Sequence, residues 1–442
     1  MGEHLRERFQ RPGSKRILAL DGGGSRGLLS LGVLQKLETH LGQRSVNPNA
    51  FRLADYFDLI GGTSTGAIIA ATLALGWKVR DIRELYFQLL PAIFDKPQVP
   101  GPLRIFWPAF QSKALTRALQ QHLGDRMLNS ADFKTGLAIH AKRIDTGSAW
   151  ILVNNPDWIY FNARHDSHGV PNSQFYVRDL VQASAAAPTY FDNVRIDLAR
   201  KGRRVTERGF FFDGGVSPNN NPALQLLLTV TEPAFGFNWA LGESNLLIWS
   251  VGTGYVRKRF AKLDKKRRSS AKPIRDFRRL MYSSKVLAAL EGYNHDIGLQ
   301  QITTLQALSR PRFPWHVNSE VRMQVETPLL SGAPILTYQR VDARLEIDEP
   351  EHRRPEHIES LLGEEMSAAQ VEQLRRLDIK DSEALDMLYR AGEALGAAQL
   401  LHRGGGRAQV LAPDWPPVAF DLAGWRLDGA ASNPPPSAAP QA

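Results

Sequence analysis

Gly62-Thr63-Ser64-Thr65-Gly66 sets a serine between two glycines, the G-x-S-x-G spacing of a nucleophile elbow. Such a turn needs small neighbours, because the backbone reverses sharply between a strand and a helix and side chains there would collide. The flanks fit. Residues 57–60 read as an apolar strand, with Gly61 and Gly62 as punctuation, and residues 67–75 read as a helix apolar nearly all round. A helix starting there aims its first amides at the Ser64 hydroxyl and favours negative charge developing beside it. The competing reading is a tight strand–helix turn with an inert serine.

Gly22-Gly23-Gly24-Ser25-Arg26-Gly27 lies between a short apolar strand at 17–20 and a helix whose leucines 28, 31, 34, 37 and 41 fall on one face. The spacing also fits a dinucleotide fingerprint, which wants an acidic residue about 20 positions on, at the end of the next strand. Residues 40–47 offer none. Consecutive glycine amides at a helix start can instead converge on a tetrahedral oxyanion with little bulk to block the approach. Arg26 would hold the loop or add positive potential. A plain glycine turn is the bland reading. The third segment, Asp213-Gly214-Gly215, follows the strand-like 210–212. An aspartate at a strand end can project into a site, but alone this pair reads as a common Asp-Gly turn.

These segments must be positioned by a larger scaffold. Strand, glycine turn, helix occurs twice in the first 76 residues, which predicts an α/β fold with a central, mostly parallel sheet. Further strands are expected at 150–154, 210–212 and 245–251, and helices at 177–187, 284–308 and 355–398.

The combination of Asp-Gly-Gly-Gly-x-Arg-Gly, Gly-x-Ser-x-Gly and Asp-Gly-Gly resembles the patatin-like phospholipase family. Ala183-Ser184-Ala185-Ala186-Ala187-Pro188-Thr189-Tyr190-Phe191, the run from Asp213 to Pro222 with its Asn-Asn-Pro, and Ser250-Val251-Gly252-Thr253-Gly254 are similar to the same family. The resemblance covers about 16–254 and fades beyond. It implies a three-layer sandwich with a helical C-terminal extension, and a Ser–Asp dyad rather than a triad. Ser64 would be the nucleophile and Asp213 the general base. Gly22, Gly23 and Gly24, with Arg26 and Gly27, would form the oxyanion hole. Gly62, Thr63, Thr65 and Gly66 would frame the elbow. No metal or organic cofactor is implied.

A dyad meets a physical difficulty. An unperturbed aspartate has a pKa near ~3.9, too low for an efficient base at neutral pH, so Asp213 needs a dry site that raises its basicity. A conventional triad is the runner-up. Among eleven histidines, His140 and His295 lie in structured-looking segments, but none can be tied to Ser64. His165 and His168 with Asp166 read as a solvated loop rather than a metal site.

Composition narrows the rest. The 442 residues are 43% hydrophobic and 23% charged, which fits a globular chain. The absence of cysteine removes disulfides, thiolate zinc sites, iron–sulfur clusters and cysteine nucleophiles. The longest apolar run, about 67–77, is short of the ~20 residues that cross a bilayer, and the charged N-terminus lacks a signal-peptide stretch. A soluble, cytoplasmic protein is expected, peripheral to the membrane at most.

The segment 257–279 carries twelve Lys/Arg against Asp264 and Asp276, which by itself matches the net charge of +10. It reads as a solvated loop, as a patch attracted to anionic lipid, or less readily as a nucleic-acid site, since Phe260 and Phe277 make no stacking platform. No nucleic-acid partner is expected, and the sequence does not define an oligomeric state.

The organisation expected is a polar leader at 1–14, a catalytic domain at 15–255, the basic segment at 256–283, a mainly helical region at 284–403 and a flexible Gly/Pro/Ala-rich tail at 404–442. The function implied is phospholipase A-type lipid-ester hydrolysis through an acyl-enzyme, with phospholipid as substrate. The alternatives are the same core gated by a small molecule or partner through its C-terminal half, and a lipid-binding scaffold with a dead site. Retention of both Ser64 and Asp213 argues against the scaffold.

Overall fold

The computed structural model describes residues 2–95, 110, 112–162, 169–256, 292–309, 316–318, 323–324, 330–347, 354–404, 407–411 and 417–422. In chain order the first half comprises α1 (Glu3–Gln10), β1 (Lys15–Leu20), α2 (Gly27–Arg44), α3 (Leu53–Tyr56), β2 (Leu59–Thr63), α4 (Thr65–Ala74), α5 (Val79–Ile93) and α6 (Lys113–Leu123). It continues with β3 (Gly136–Arg143), β4 (Ala149–Val153), α7 (Val177–Ser184), β5 (Val194–Lys201), β6 (Arg204–Asp213), α8 (Ala223–Thr231) and β7 (Leu246–Val251). Then come a helix α9 over 292–307, a small hairpin of β8 (His316–Asn318) and β9 (Met323–Gln324), and β10 (Thr337–Val341). Helices α10 (Ile358–Leu362), α11 (Ala368–Arg375) and α12 (Ser382–Leu400) precede a second hairpin, β11 (Leu401–Gly404) and β12 (Arg407–Leu411).

The main sheet has eight strands, hydrogen-bonded in the order β10-β7-β1-β2-β3-β6-β5, with β4 also paired to β3. The five strands from β10 to β3 run parallel. β4, β5 and β6 pair antiparallel, so the sheet is mostly but not wholly parallel. Every residue of β1, β2 and β7 is buried, as expected for strands covered on both faces. Gly61 and Gly62, read from sequence as punctuation, lie inside β2. A Cβ on Gly61 would meet Leu226 of α8 at 2.6 Å, and one on Gly62 would meet the Gly66 carbonyl of α4 at 2.1 Å. Successive strand residues face opposite sides, so α8 and α4 cover the two faces, and both approach too closely for any side chain.

The register explains why two distant segments meet. One edge of β3 pairs with β4 over Ala138–Lys142. The other edge pairs with β2 from Gly136 to His140, and then with β6 from Ala141 to Arg143. Thr63 sits opposite His140 and Asp213 opposite Ala141, the next position. Strands β2 and β6 therefore run end to end along one edge of β3, entering from opposite directions.

The ends of the chain are more firmly built in than their composition suggests. Residues 1–14, expected as a polar leader, contain α1, whose Leu5 and Phe9 fall on one face and are buried, while Arg8 donates to the Ala54 and Phe57 carbonyls. The C-terminal region is helical as expected but also supplies β10, the edge strand beside β7. Helix α12 crosses α2 at backbone contact: a Cβ on Gly392 would lie 2.0 Å from the Leu29 carbonyl. Part of the expected flexible tail docks as well. Phe420 is fully buried, Arg16 donates to its carbonyl at 2.9 Å, and Arg44 pairs with Asp421 at 2.9 Å. Helix α7 ends at Ser184, three residues earlier than the expected 187, in a turn closed by bonds from the Ala185 amide. The basic segment 257–279 lies outside the described residues. No described helix is long and apolar enough to cross a membrane.

Gly392→Ala should lower the melting temperature in calorimetry. Overpacking at a backbone contact costs about 1–3 kcal/mol, which outweighs the ~1 kcal/mol that alanine gains over glycine in a helix interior. A rise in melting temperature would show that α2 and α12 are not in tight contact.

Candidate active site

Ser64 occupies the turn between β2 and α4 with φ 56° and ψ −123°, a left-handed backbone that a serine adopts only under constraint. The constraint is visible on both sides. A Cβ on Gly66 would lie 2.3 Å from the Leu20 carbonyl, so α4 is pressed against β1. Thr63 Oγ1 donates to the Asn219 carbonyl at 2.5 Å, and Thr65 Oγ1 bonds the Tyr86 hydroxyl at 2.7 Å. The Ser64 amide donates to Ser184 Oγ at 2.9 Å, and that hydroxyl donates to the His140 carbonyl at 2.6 Å. This fits the G-x-S-x-G expectation: strand, strained serine, helix, with the helix N-terminus beside the hydroxyl.

Ser64 Oγ donates to Asp213 Oδ2 at 2.6 Å, across the junction of β2 and β6. Asp213 is 4% exposed. Its other oxygen accepts from the Gly215 amide at 2.6 Å, and its own amide donates to the Ala186 carbonyl. Burial pushes the Asp213 carboxyl up to about 6, against the opposing pull of the bonds from Ser64 and Gly215. That is the dry, basicity-raising setting a serine–aspartate pair needs. Gly214 has a steric reason: a Cβ there would lie 2.3 Å from the His140 carbonyl.

The glycine loop lies against the same serine. A Cβ on Gly22 would be 3.2 Å from Ser64 Cβ and 2.5 Å from Asn220 Oδ1. Of the three amides expected to point at an oxyanion, Gly22 donates instead to the Asn220 carbonyl at 3.1 Å. The Gly23 and Gly24 amides bond no carbonyl or side chain among the described residues. Gly27 closes the short turn by donating to Gly24 and Ser25, and Arg26 donates to the Gly254 carbonyl at 3.3 Å. Arg26 and Gly27 therefore hold the loop, and two amides remain free to meet a ligand.

What sequence reasoning missed is the layer behind the loop. Arg340 of β10 grips Asp21, the residue preceding Gly22, with bonds of 2.9 and 2.6 Å, and also binds Asp342 and Ser250 at 2.7 Å each. All four are buried. Burial alone would lower the Arg340 guanidinium, but Asp21 and Asp342 more than offset it and hold it above its ordinary value. Ser25 Oγ donates to the Leu377 and Ile379 carbonyls at 2.8 and 3.0 Å. The sequence carried little signal here: β10 reads Thr-Tyr-Gln-Arg-Val, too polar to look like a buried strand, and only the tertiary fold supplies the buried partners that Arg340 needs.

Among the described residues no histidine bonds Ser64. His140 is buried on β3 with Nδ1 3.3 Å from the Gly62 carbonyl, and burial pushes it down to about 4. His295 lies against the Tyr255 ring at 4.6 Å. His165, Asp166 and His168 lie outside the described residues. Among the described residues no group of three His, Asp or Glu side chains is arranged to hold a metal.

Fold and site together define an α/β protein of the nucleophile-elbow type in which a buried aspartate, not a histidine, bonds the serine. Residues 18–227 match the family model described as patatin-like phospholipase, and this part of the chain belongs to that family. Patatin-15 of Solanum tuberosum is 32% identical over 250 residues, covering 54% of this chain and 60% of the relative. A cGAMP-activated phospholipase of Vibrio cholerae is 28% identical over 260 residues, covering 57% and 66%. The chain thus spans roughly three fifths of the length of the curated patatins it matches. Among solved structures, VipD from Legionella pneumophila aligns at 12% identity over 88% of this chain and 67% of its own, with a TM-score of 0.32, too low to bear on the fold.

Two outcomes test this geometry. The folded pKa of Asp213 lies above the unfolded value of 3.8, so keeping it ionised costs stability above about pH 6, and that cost fades as pH falls toward 3.8. Asp213→Asn can keep both hydrogen bonds without the charge. It should raise the melting temperature at pH 8, and the gain should shrink by pH 4. Arg340→Met should strand Asp21 as a buried unpaired carboxylate and cost about 3–5 kcal/mol in denaturant unfolding. A change below ~1 kcal/mol would mean the pair is not a structural clamp.

Proposed function

We propose that this chain is a serine acyl hydrolase acting on phospholipids or related lipid esters. The observation that carries the reading is the 2.6 Å bond from Ser64 Oγ to the buried Asp213 carboxylate, with no histidine in contact with the serine among the described residues. Ser64 attacks the ester carbonyl as its proton passes to Asp213 Oδ2. The carbonyl oxygen becomes an oxyanion and takes the Gly23 and Gly24 amides, which have no other partner among the described residues to give up. Collapse of the tetrahedral intermediate expels the alcohol, which leaves with the proton from Asp213, and the acyl group stays on Ser64. Asp213 then takes a proton from water, water attacks the acyl-enzyme, and the fatty acid departs as Ser64 is reprotonated. With a pKa of about 6, Asp213 is ionised at neutral pH yet basic enough to share in each transfer.

A second reading has the same core gated through its C-terminal half. The bonds from Ser25 to Leu377 and Ile379 favour it, because a shift of that segment would move the glycine loop directly. The Vibrio cholerae relative is named for activation by cGAMP, which makes cyclic dinucleotides the first effectors to try. Full turnover without any added factor would count against gating. The run of charge at 257–279 would hold the protein near anionic lipid.

In a lipid panel read by mass spectrometry, Ser64→Ala should release no fatty acid. Asp213→Asn should lower turnover by ~10²–10⁴-fold or more, and His140→Ala by far less. A histidine variant as inactive as Ser64→Ala would restore the triad.

A further inference from the structure

The β5–β6 hairpin carries a charge cluster that the hydrolytic site does not use. Its exposed residues include Arg195, Arg200, Lys201, Arg203, Arg204 and Arg208. Asp197 is matched by Arg200 and Arg208 at 2.9 Å each, and Glu207 by Arg143 at 2.8 Å. Lys201, Arg203 and Arg204, at the tip around Gly202, form no ion pair with a described residue. Lys201 stands directly opposite Arg204 in the ladder. Like charges in that position destabilise a hairpin, so the fold gains nothing from them.

The register fixes where the tip points. β6 leaves Asp213 antiparallel to β3 and passes the end of β3 at Arg143, which is opposite Phe211. The residues before Phe211 therefore continue beyond the carboxyl ends of β2 and β3, the same end at which Ser64 lies. From Asp213 to Arg204 is nine residues, so at ~3.3 Å each the hairpin reaches at most roughly 30 Å past the site, and less where the register irregularities over 197–200 bend it. It extends in the direction from which a substrate anchored in a surface would approach Ser64.

We propose that Lys201, Arg203 and Arg204 form a docking tip for an anionic phospholipid bilayer, which sets the Ser64 end of the sheet against the membrane. The proposal rests on the lipid-ester reading for its choice of partner. Charge complementarity carries it: three cations with no ion-pair partner among the described residues, projected on a narrow hairpin, fit a diffuse anionic surface, whereas base stacking would need aromatic rings that the tip lacks.

The test is vesicle flotation of the full chain in the Ser64→Ala background, so that binding is read without hydrolysis. Phosphatidylcholine vesicles with and without phosphatidylglycerol are compared. Lys201→Ser, Arg203→Ser and Arg204→Ser together should weaken binding to the anionic vesicles by on the order of 100-fold, about five-fold per cation. A control triple, Arg11→Ser, Arg80→Ser and Lys134→Ser, removes exposed charges at the opposite end of the sheet and should change binding by no more than about two-fold. Equal loss in both triples would reduce the effect to net charge and overturn the proposal. No loss in the tip triple would leave the cations as protection of a sheet edge and overturn it too. Tip-dependent binding to duplex DNA or RNA tighter than to vesicles would reassign the tip to nucleic acid. Failure of the hydrolase reading would show separately, as absent turnover of soluble esters by the parent chain, and leaves the binding result standing.

Discussion

A carboxylate sealed from water keeps its charge only if its oxygens are occupied, and the architecture around Asp213 follows from that requirement. Ser64 occupies one oxygen and the Gly215 amide the other, both at 2.6 Å. Two strands must run end to end along β3 for serine and aspartate to meet, so β6 takes the edge that β2 vacates at His140. The elbow must hold Ser64 at positive φ, so Gly62 is reduced to backbone where β2 meets α4 and Gly66 where α4 meets β1. The same burial raises the Asp213 pKa to about 6, toward the range of a histidine.

The glycine loop depends on parts of the chain beyond the family match, which ends at residue 227. Arg340 reaches Asp21 from β10, Asp342 holds the Gly254 amide at 2.8 Å, and the Leu377 and Ile379 carbonyls hold Ser25. From the other side, Asn294 and Gln301 of α9 donate to the Gly215 and Pro218 carbonyls. The C-terminal half is thus part of the wall of the site rather than an appendage. Any motion of β10 or of the 377–379 turn would be felt directly at Asp21 and Ser25, the residues that flank the three glycines of the loop.

The local features were the legible ones. Ser64, Gly62, Gly66 and the three-glycine loop announce themselves because tight turns and close backbone approach demand particular residues in short order. Strands β1, β2 and β7 and helices α2 and α4 were readable from apolar runs and spacing. The antiparallel half of the sheet was not, since the direction of β6 is set by its partner across 70 residues. Helix α1 was hidden by its charges, with only Leu5 and Phe9 turned inward. Asp213 looked like an ordinary turn until the whole motif set was considered, because nothing local encodes its burial. Arg340 gave no local sign, because it sits in the polar-looking run Thr-Tyr-Gln-Arg-Val and its partner Asp21 lies 319 residues away. Which glycine amides are free was also beyond sequence, as Gly22 is taken by a carbonyl from Asn220.

The most direct test is the pH dependence of fluorophosphonate labelling, followed by peptide mapping of the adduct. The account predicts a single adduct on Ser64, with a labelling rate that rises with pH through an apparent pKa of about 6 as Asp213 ionises, and that keeps this midpoint when His140 is replaced. An adduct on another residue, or a midpoint that disappears with a histidine substitution, would contradict it.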